Sequence, residues 1–225
     1  GANDTVDLGE GEDTLEAAEA GLIASSANGG INNVEIIEIQ NTFSNTIVDD
    51  VNGFQADNFP GATTFQLESG FNDGTVINDL APGQRVDLEA KSVGDTLNLD
   101  DEAFTNADDS FTIGVGQSDG ENGLGAFNAA GIVDFSFDAT EMVTVDSRGD
   151  NDTVNTPDAD QNVLSVFNGG LETLMITGDE DLQLQVNWTQ GAASSLTAID
   201  ASAANGDLDL DEVLYEAGSS VSVTG

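Results

Sequence analysis

Carboxylates placed next to glycines are the residues of this sequence with the clearest potential for chemistry. Asp4 and Asp13 lie nine residues apart, and Gly9–Leu15 (GEGEDTL) matches most of the calcium-binding nonapeptide GGxGxDxUx, lacking only its first glycine. Glycine lets the backbone turn tightly and direct carbonyl oxygens inward, and aspartate adds a charged oxygen of the kind that calcium prefers. The spacing therefore predicts a Ca²⁺ ion bound between turns by Asp4, Gly9, Gly11 and Asp13.

The same pattern recurs in the second half of the chain. GANDTV at Gly1–Val6 returns as GDNDTV at Gly149–Val154, and an acidic loop follows it. The predicted ligands of this second calcium-binding segment are Asp150, Asp152, Asp158 and Asp160. A third acidic turn, TGDED, offers Asp179 and Asp181. The alternative for each segment is an Asx-rich turn that binds no ion, since Asp and Asn side chains can cap their own backbone.

The charge balance limits what this chain can bind. Its 225 residues include 43 Asp plus Glu but only 3 Lys plus Arg, which gives a formal net charge of −40, and it has no His or Cys. So few basic residues exclude a patch that neutralises nucleic-acid phosphates. No apolar run approaches the ~20 residues of a membrane span. Without His or Cys, the usual zinc, copper, haem and iron–sulfur sites are also excluded.

Forty uncompensated negative charges repel one another in a compact chain, so cations must screen or bind them. Carboxylates clustered beside Gly and Asn are hard oxygen ligands, which favours calcium. The alternative is an acidic surface adapted to a salty exterior. Catalysis is not expected. Two carboxylates can act as acid and base on a glycoside, but no Arg, Lys or His cluster is available to bind an acidic sugar or stabilise a developing anion.

The distribution of apolar residues is typical of an all-β protein built from short strands. Apolar and polar residues alternate in short stretches separated by Gly, Asn and Asp turns. The predicted strands are Val34–Ile39, Thr63–Leu67, Arg85–Leu88, Asp95–Leu99, Ser110–Val115, Val133–Phe137, Met142–Val145, Leu182–Val186 and Val221–Val223. Asp13–Ser26 is instead rich in Ala, Glu and Leu at helical spacing, which predicts one short helix near the N-terminus.

A repeated unit links these strands. Glu35, Glu141 and Glu172 each precede an alternating apolar strand, but at unequal spacing, which favours a stack of unequal rungs over a strictly periodic propeller. The expected fold is therefore a β-solenoid or β-roll-like stack with Gly/Asx calcium-binding turns. The duplication suggests two solenoid segments, residues 1–146 and 147–225, or one continuous domain. The chain starts without Met, as expected of a segment cut from a longer polypeptide.

Several strings resemble a known group of proteins. SLTAIDASAANGDLDL (Ser195–Leu210), GLETLMITGDEDLQL (Gly170–Leu184) and GINNVEIIEIQN (Gly30–Asn41), beside the GxNDTV turns, resemble repeats of RTX-type bacterial surface-layer proteins and related large secreted adhesins. The resemblance implies a β-solenoid or β-roll exported by type I secretion. It also implies calcium bound between turns and assembly into extracellular arrays.

The expected function is structural. The chain would be a calcium-stabilised, self-assembling segment of a secreted protein at the bacterial cell surface, in a surface layer or an extracellular filament. Its partners would be further copies of itself and, as a second possibility, a cell-surface polysaccharide. The alternative is a repeat module of a calcium-rigidified adhesin that presents a remote binding domain. An ice-binding tip is not favoured, because Thr residues are scattered along the sequence.

Overall fold

The computed structural model describes residues 6–26, 31–48, 52–90, 95–100, 104–106, 109–116, 133–137, 140–149, 162–167, 170–187, 195–213 and 220–225. Within these ranges the chain forms short β-strands, one α-helix and one 3₁₀ turn. In chain order they are β1 (Val6–Asp7), β2 (Thr14–Ala17), α1 (Glu19–Ser26), β3 (Ile31–Asn32), β4 (Ile36–Ile39), the 3₁₀ turn (Ala56–Asn58), β5 (Thr64–Leu67), β6 (Thr75–Ile77), β7 (Arg85–Leu88), β8 (Thr96–Leu99), β9 (Ser110–Val115), β10 (Val133–Ser136), β11 (Met142–Ser147), β12 (Asn162–Phe167), β13 (Thr173–Gly178), β14 (Leu182–Asn187), β15 (Ala198–Ala204), β16 (Leu208–Val213) and β17 (Ser222–Thr224).

The strands stack in two parallel sheets, consistent with a β-solenoid. One sheet has nine strands in the order β2-β4-β5-β7-β9-β11-β13-β15-β17, and the other has six in the order β6-β8-β10-β12-β14-β16. From β5 onward the chain alternates between the two sheets, so each rung adds one strand to each sheet. A short parallel pair, β1 with β3, completes the N-terminal rungs. The predicted fold class, mostly β with one short N-terminal helix, is confirmed.

The rungs are unequal in length, as the irregular spacing of the glutamates predicts. In the nine-stranded sheet, Thr64 pairs with Arg85, Arg85 with Thr112, Thr112 with Thr144, and Thr144 with Met175. Successive rungs therefore differ in the number of residues that separate paired positions. The strand β11, which contains residues 146 and 147, pairs with β9 on one side and β13 on the other.

The core lies between the sheets, because alternate side chains of each strand point inward. Inward positions stack in register from rung to rung and form one apolar row along the nine-stranded sheet. Its buried members are Ile37, Phe65, Val86, Ile113, Val145 and Ile176. Phe54 extends this core near the N-terminal rungs, where its ring lies 5.4 Å from the Phe43 ring and 5.8 Å from the Phe65 ring, both edge-on.

At the corners, successive rungs approach so closely that glycine is required. Gly116 (φ 93°) and Gly178 (φ 104°) adopt left-handed backbone conformations at the ends of their strands. A Cβ atom at Gly116 would collide with the carbonyl oxygen of Arg148, and one at Gly178 with that of Ser147. Both conformation and space therefore exclude a side chain at these two corners.

Buried Asn162 ties three strands together at the same corner. Its Nδ2 donates hydrogen bonds to the carbonyl oxygens of Val115 (3.2 Å) and Arg148 (3.0 Å) and to Oγ of Ser147 (2.9 Å). These groups belong to β9, β11 and the residue after β11. The amide thus supplies a donor to the Arg148 carbonyl oxygen and a second one to that of Val115, which also accepts from the Arg148 backbone N–H.

The helix is shorter than predicted. Thr14–Ala17, included in the predicted helix, is strand β2 and pairs in register with β4, starting with Thr14 beside Ile36. The neighbouring rung supplies backbone hydrogen-bond partners for these residues. This pairing outweighs their helix propensity, so the segment forms a strand. The helix begins at Glu19. The Glu19 backbone N–H donates to Oδ1 of Asn41, 2.7 Å away, which anchors the helix to the next rung.

Candidate functional site

The predicted glycine-rich turn connects β1 to β2. Gly9 (φ 100°) and Gly11 (φ 146°) both have positive φ values, so the nonapeptide glycines occupy the backbone conformations that favour glycine. Oδ1 of Asp7 accepts hydrogen bonds from the Gly9 backbone N–H (3.2 Å) and from Nδ2 of Asn33 on the next rung (2.8 Å). The turn is therefore attached to the rung beside it.

Asp13 ends this turn and faces a second carboxylate. Its backbone N–H donates to Oε2 of Glu35 (2.9 Å), and its carbonyl oxygen accepts from the Glu35 N–H (3.2 Å). Its Oδ2 is buried, and no hydrogen-bond donor in the described part of the chain reaches it. A hard cation suits such an oxygen, since it would neutralise the charge that burial leaves unsatisfied. Asp13 and Glu35 supply two carboxylates at the contact between two rungs.

The other predicted calcium ligands have different positions. Asp4, Asp150, Asp152, Asp158 and Asp160 lie outside the described residues. Asp179 and Asp181 lie in the turn between β13 and β14, where both are exposed. Oδ1 of Asp181 accepts a hydrogen bond from the Asp207 backbone N–H of the next rung (2.7 Å). Across the described residues, no three acidic side chains converge in a way that could hold a metal ion.

Two of the repeated glutamates, Glu141 and Glu172, occupy equivalent positions on neighbouring rungs. The Glu172 backbone N–H donates to the carbonyl oxygen of Glu141 (2.7 Å), and the Thr197 N–H donates to that of Glu172 (2.9 Å). The two residues therefore lie at the same level of adjacent strands. Oε2 of Glu141 is buried, and none of the described donors reaches it. The Glu-then-strand units at Glu141 and Glu172 are in register, because Met142 pairs with Thr173. The unit at Glu35 is offset, because Ile36 aligns with Thr144 through the intervening strands.

A third acidic group lies on the outer surface near the N-terminal rungs. Glu16 and Glu38 are in register on β2 and β4. Partial burial, then repulsion by Glu16 and Glu68, raises the pKa of Glu38 to about 6. Burial is the larger cause of this shift, and repulsion between carboxylates of neighbouring rungs adds to it.

An arginine–aspartate cluster is the feature that the sequence reasoning missed. Two of the three basic residues, Arg85 and Arg148, meet on the outer face of the nine-stranded sheet with Asp87 and Asp146. Arg85 pairs through Nε with Oδ1 of Asp87 and through Nη2 with Oδ2 of Asp146 (2.6 Å). Arg148 pairs through Nη2 with Oδ2 of Asp87 (3.1 Å) and through Nε with Oδ2 of Asp146 (3.7 Å). The sequence alone does not predict that these two arginines meet.

Gly114 makes room for this cluster. In the sheet it lies between Asp87 and Asp146, paired with both. A Cβ atom there would collide with the Asp87 carboxylate and the Arg85 guanidinium and would lie 2.7 Å from Nη2 of Arg148. The Asp87 side chain is only 3% exposed, and burial raises its pKa even though Arg148 and Arg85 oppose the shift. The available signal was an acid and a base two residues apart in both Arg85–Asp87 and Asp146–Arg148.

Comparisons with protein-family models, with curated proteins and with solved structures found no match to this chain. In the described residues, no helix has the length and apolar character needed to cross a membrane.

Proposed function

We propose that this chain is a calcium-stabilised, self-assembling structural segment of a secreted bacterial cell-surface protein, in a surface layer or an extracellular filament. The observation that carries the proposal is that acidic residues occupy equivalent positions of successive rungs, with Asp13 beside Glu35 and Glu141 beside Glu172. In both pairs one carboxylate oxygen is buried without a donor from the described residues.

Stacked carboxylates need a counter-charge. Parallel strands lie about 4.8 Å apart. At that distance two negative charges repel by roughly 1 kcal/mol in bulk water and about 3.5 kcal/mol at an effective dielectric of 20. A divalent cation between rungs replaces this repulsion with attraction. In the glycine-rich turn, Asp13 and Glu35 would hold the ion, which would neutralise both carboxylates and fasten one rung to the next.

The proposed location follows from the affinity expected of such sites. Extracellular calcium modules bind with Kd values of about 10⁻⁴–10⁻³ M. Sites of this class remain empty at cytosolic calcium levels and fill outside the cell. Each site adds RT ln(1 + [L]/Kd) to stability, about 1.4 kcal/mol at tenfold saturation. The chain would therefore become rigid after export.

The test compares two matched charge removals in the glycine-rich turn. Asp13→Asn removes the carboxylate whose Oδ2 is buried, whereas Glu12→Gln removes the same charge from the exposed neighbouring side chain. Thermal unfolding is followed by circular dichroism in EDTA and in millimolar CaCl₂, with MgCl₂ and NaCl as controls. We expect calcium to raise the Tm of the wild type and of Glu12→Gln, and to raise that of Asp13→Asn less.

Equal stabilisation by NaCl at matched ionic strength would contradict the calcium proposal and make the acidity an adaptation to salt. An unchanged calcium response in Asp13→Asn would remove the N-terminal turn from the proposed sites. Electron microscopy of the same samples tests assembly, with sheets or filaments expected in calcium and dispersed particles in EDTA.

A further inference from the structure

One region of the outer surface carries no net charge. We define the neutral face as the outward-pointing residues of β7, β9, β11 and β13 together with Arg148. Its members are Arg85, Asp87, Ser110, Thr112, Gly114, Met142, Thr144, Asp146, Thr173, Met175, Thr177 and Arg148. Two arginines balance two aspartates, and the remaining side chains are hydroxyls, methionines and a glycine.

Strand β5, which pairs with β7, is also uncharged on its outer side, where Thr64 and Gln66 lie. Strands β2 and β4, which continue this sheet at its N-terminal end, are different. There the outward residues include Glu16 and Glu38, which lie in register on neighbouring strands. Glu89 and Glu172 border the neutral face just beyond strand ends. In a chain whose formal net charge is −40, four consecutive strands without net charge are a local exception to the acidic surface.

We propose that the neutral face is where a second copy of this chain docks, sheet against sheet. This inference rests on the proposed function and names the surface through which assembly begins. Two copies that each carry forty excess negative charges repel one another in most orientations. Contact through the neutral faces keeps the acidic ends apart and places hydroxyl and thioether groups at the centre, where their desolvation costs far less than that of a carboxylate.

The arginine–aspartate cluster fits the same contact. The side chains of Arg85 and Arg148 are 25% and 18% exposed, and that of Asp146 is 19% exposed. Their outer edges are therefore available to the opposing copy while their inner edges remain paired. A two-fold contact would place an arginine of one copy near Asp146 of the other, which fixes the relative orientation.

The size of the face predicts a weak pairwise contact. Four strands at about 4.8 Å spacing and about 20 Å long cover roughly 400 Å² per copy. A stable pairwise interface buries about 800 Å² per partner. A single pair therefore dissociates readily, and occupancy rises when copies are held in an array, where each contact is reinforced by its neighbours.

The test introduces charge at the centre of the face. Thr112→Glu with Thr173→Glu places one glutamate on β9 and one on β13, two strands apart. The matched control, Ser136→Glu with Gln183→Glu, places two glutamates two strands apart on β10 and β14 of the other sheet. Sedimentation velocity measures the dimer dissociation constant of each protein, and circular dichroism verifies the fold.

We expect weak dimerisation of the wild type and the control, and at least tenfold weaker dimerisation of the Thr112→Glu, Thr173→Glu variant. Raising NaCl should strengthen the wild-type dimer, because salt screens the repulsion between acidic regions and leaves the neutral contact intact. A folded Thr112→Glu, Thr173→Glu variant that dimerises as tightly as the wild type would overturn the inference.

The outcomes separate this inference from the function on which it rests. Calcium-dependent assembly that is insensitive to the Thr112→Glu and Thr173→Glu changes contradicts the neutral face alone. Dimers that become tighter with NaCl but do not respond to calcium contradict the calcium requirement alone. A wild type that stays monomeric under all conditions contradicts both. If that monomer binds a neutral polysaccharide and the Thr112→Glu, Thr173→Glu variant does not, the face belongs to a carbohydrate partner.

Discussion

Replacing Gly114 by alanine gives a sharp test of how the middle rungs are held together. The Gly114 backbone does not have a positive φ value, so alanine can adopt its conformation. Conformational entropy alone would make Gly114→Ala stabilising by about 0.4–1 kcal/mol. The structure predicts the opposite result, because the new Cβ atom would occupy space held by the Asp87 carboxylate and two guanidinium groups.

The size of the expected destabilisation follows from which side chains the new Cβ atom displaces. The colliding atoms are ends of side chains, so the cluster can open, but Asp87 must then leave at least one arginine. Its side chain is 3% exposed, and breaking a fully buried ion pair costs about 3–5 kcal/mol. Arg85 and Arg148 keep partial access to water, which lowers the cost to about 2–3 kcal/mol. After the entropic gain of alanine, we expect a net loss of about 2 kcal/mol.

The assay is urea unfolding followed by circular dichroism at fixed salt and calcium. Gly21→Ala is the matched control, because Gly21 lies in helix α1 and a Cβ atom there would meet nothing within 4 Å. It should stabilise the chain by about 0.5–1 kcal/mol. Adding Asp87→Ala should remove much of the Gly114→Ala cost, with a coupling of at least about 1 kcal/mol. A Gly114→Ala protein as stable as the wild type would refute the proposed role of the cluster.

Three further predictions concern single side chains. The pKa of Glu38 is raised to about 6, so its protonated form favours the native state and that stabilisation is lost as pH rises from 4.5 through 6. After allowance for screening, Glu38→Gln should add at most about 1 kcal/mol at pH 7.5 and nothing at pH 4, in paired thermal melts. Asn162→Ala should cost about 1–3 kcal/mol in urea unfolding, because the Arg148 carbonyl oxygen and Oγ of Ser147 lose a donor, whereas the Val115 carbonyl oxygen keeps the Arg148 N–H. A loss below about 0.5 kcal/mol would contradict this role. Phe54→Ala should cost about 3–5 kcal/mol, whereas Phe54→Leu should keep most of that packing and lose less than half as much.

Much of the fold was readable in the sequence, because the alternation of apolar and polar residues is a local property. The predicted strands Arg85–Leu88 and Ser110–Val115 match β7 and β9 to the residue. The irregular spacing of the repeated glutamates also indicated unequal rungs. The segment at residues 14–17 was misassigned, because its helix-forming residues pair as a strand with β4 once the next rung is in place.

The candidate calcium site likewise has one part that was visible in the sequence and one part that was not. The glycine-rich turn was visible in a short string, since the positive φ values at Gly9 and Gly11 are a local consequence of glycine. The stacking of Asp13 on Glu35 was not visible, because it depends on the register between two rungs.

The sequence by itself determined the strand-forming stretches, the turn glycines and the large excess of negative charge. Only the tertiary structure decided which residues of distant strands meet. Arg85 and Arg148 come together because β7, β9 and β11 stack in one register. Residue types determine strand alternation and turns over a few neighbouring positions. The pairing of one rung with the next depends on the packing of the whole rung.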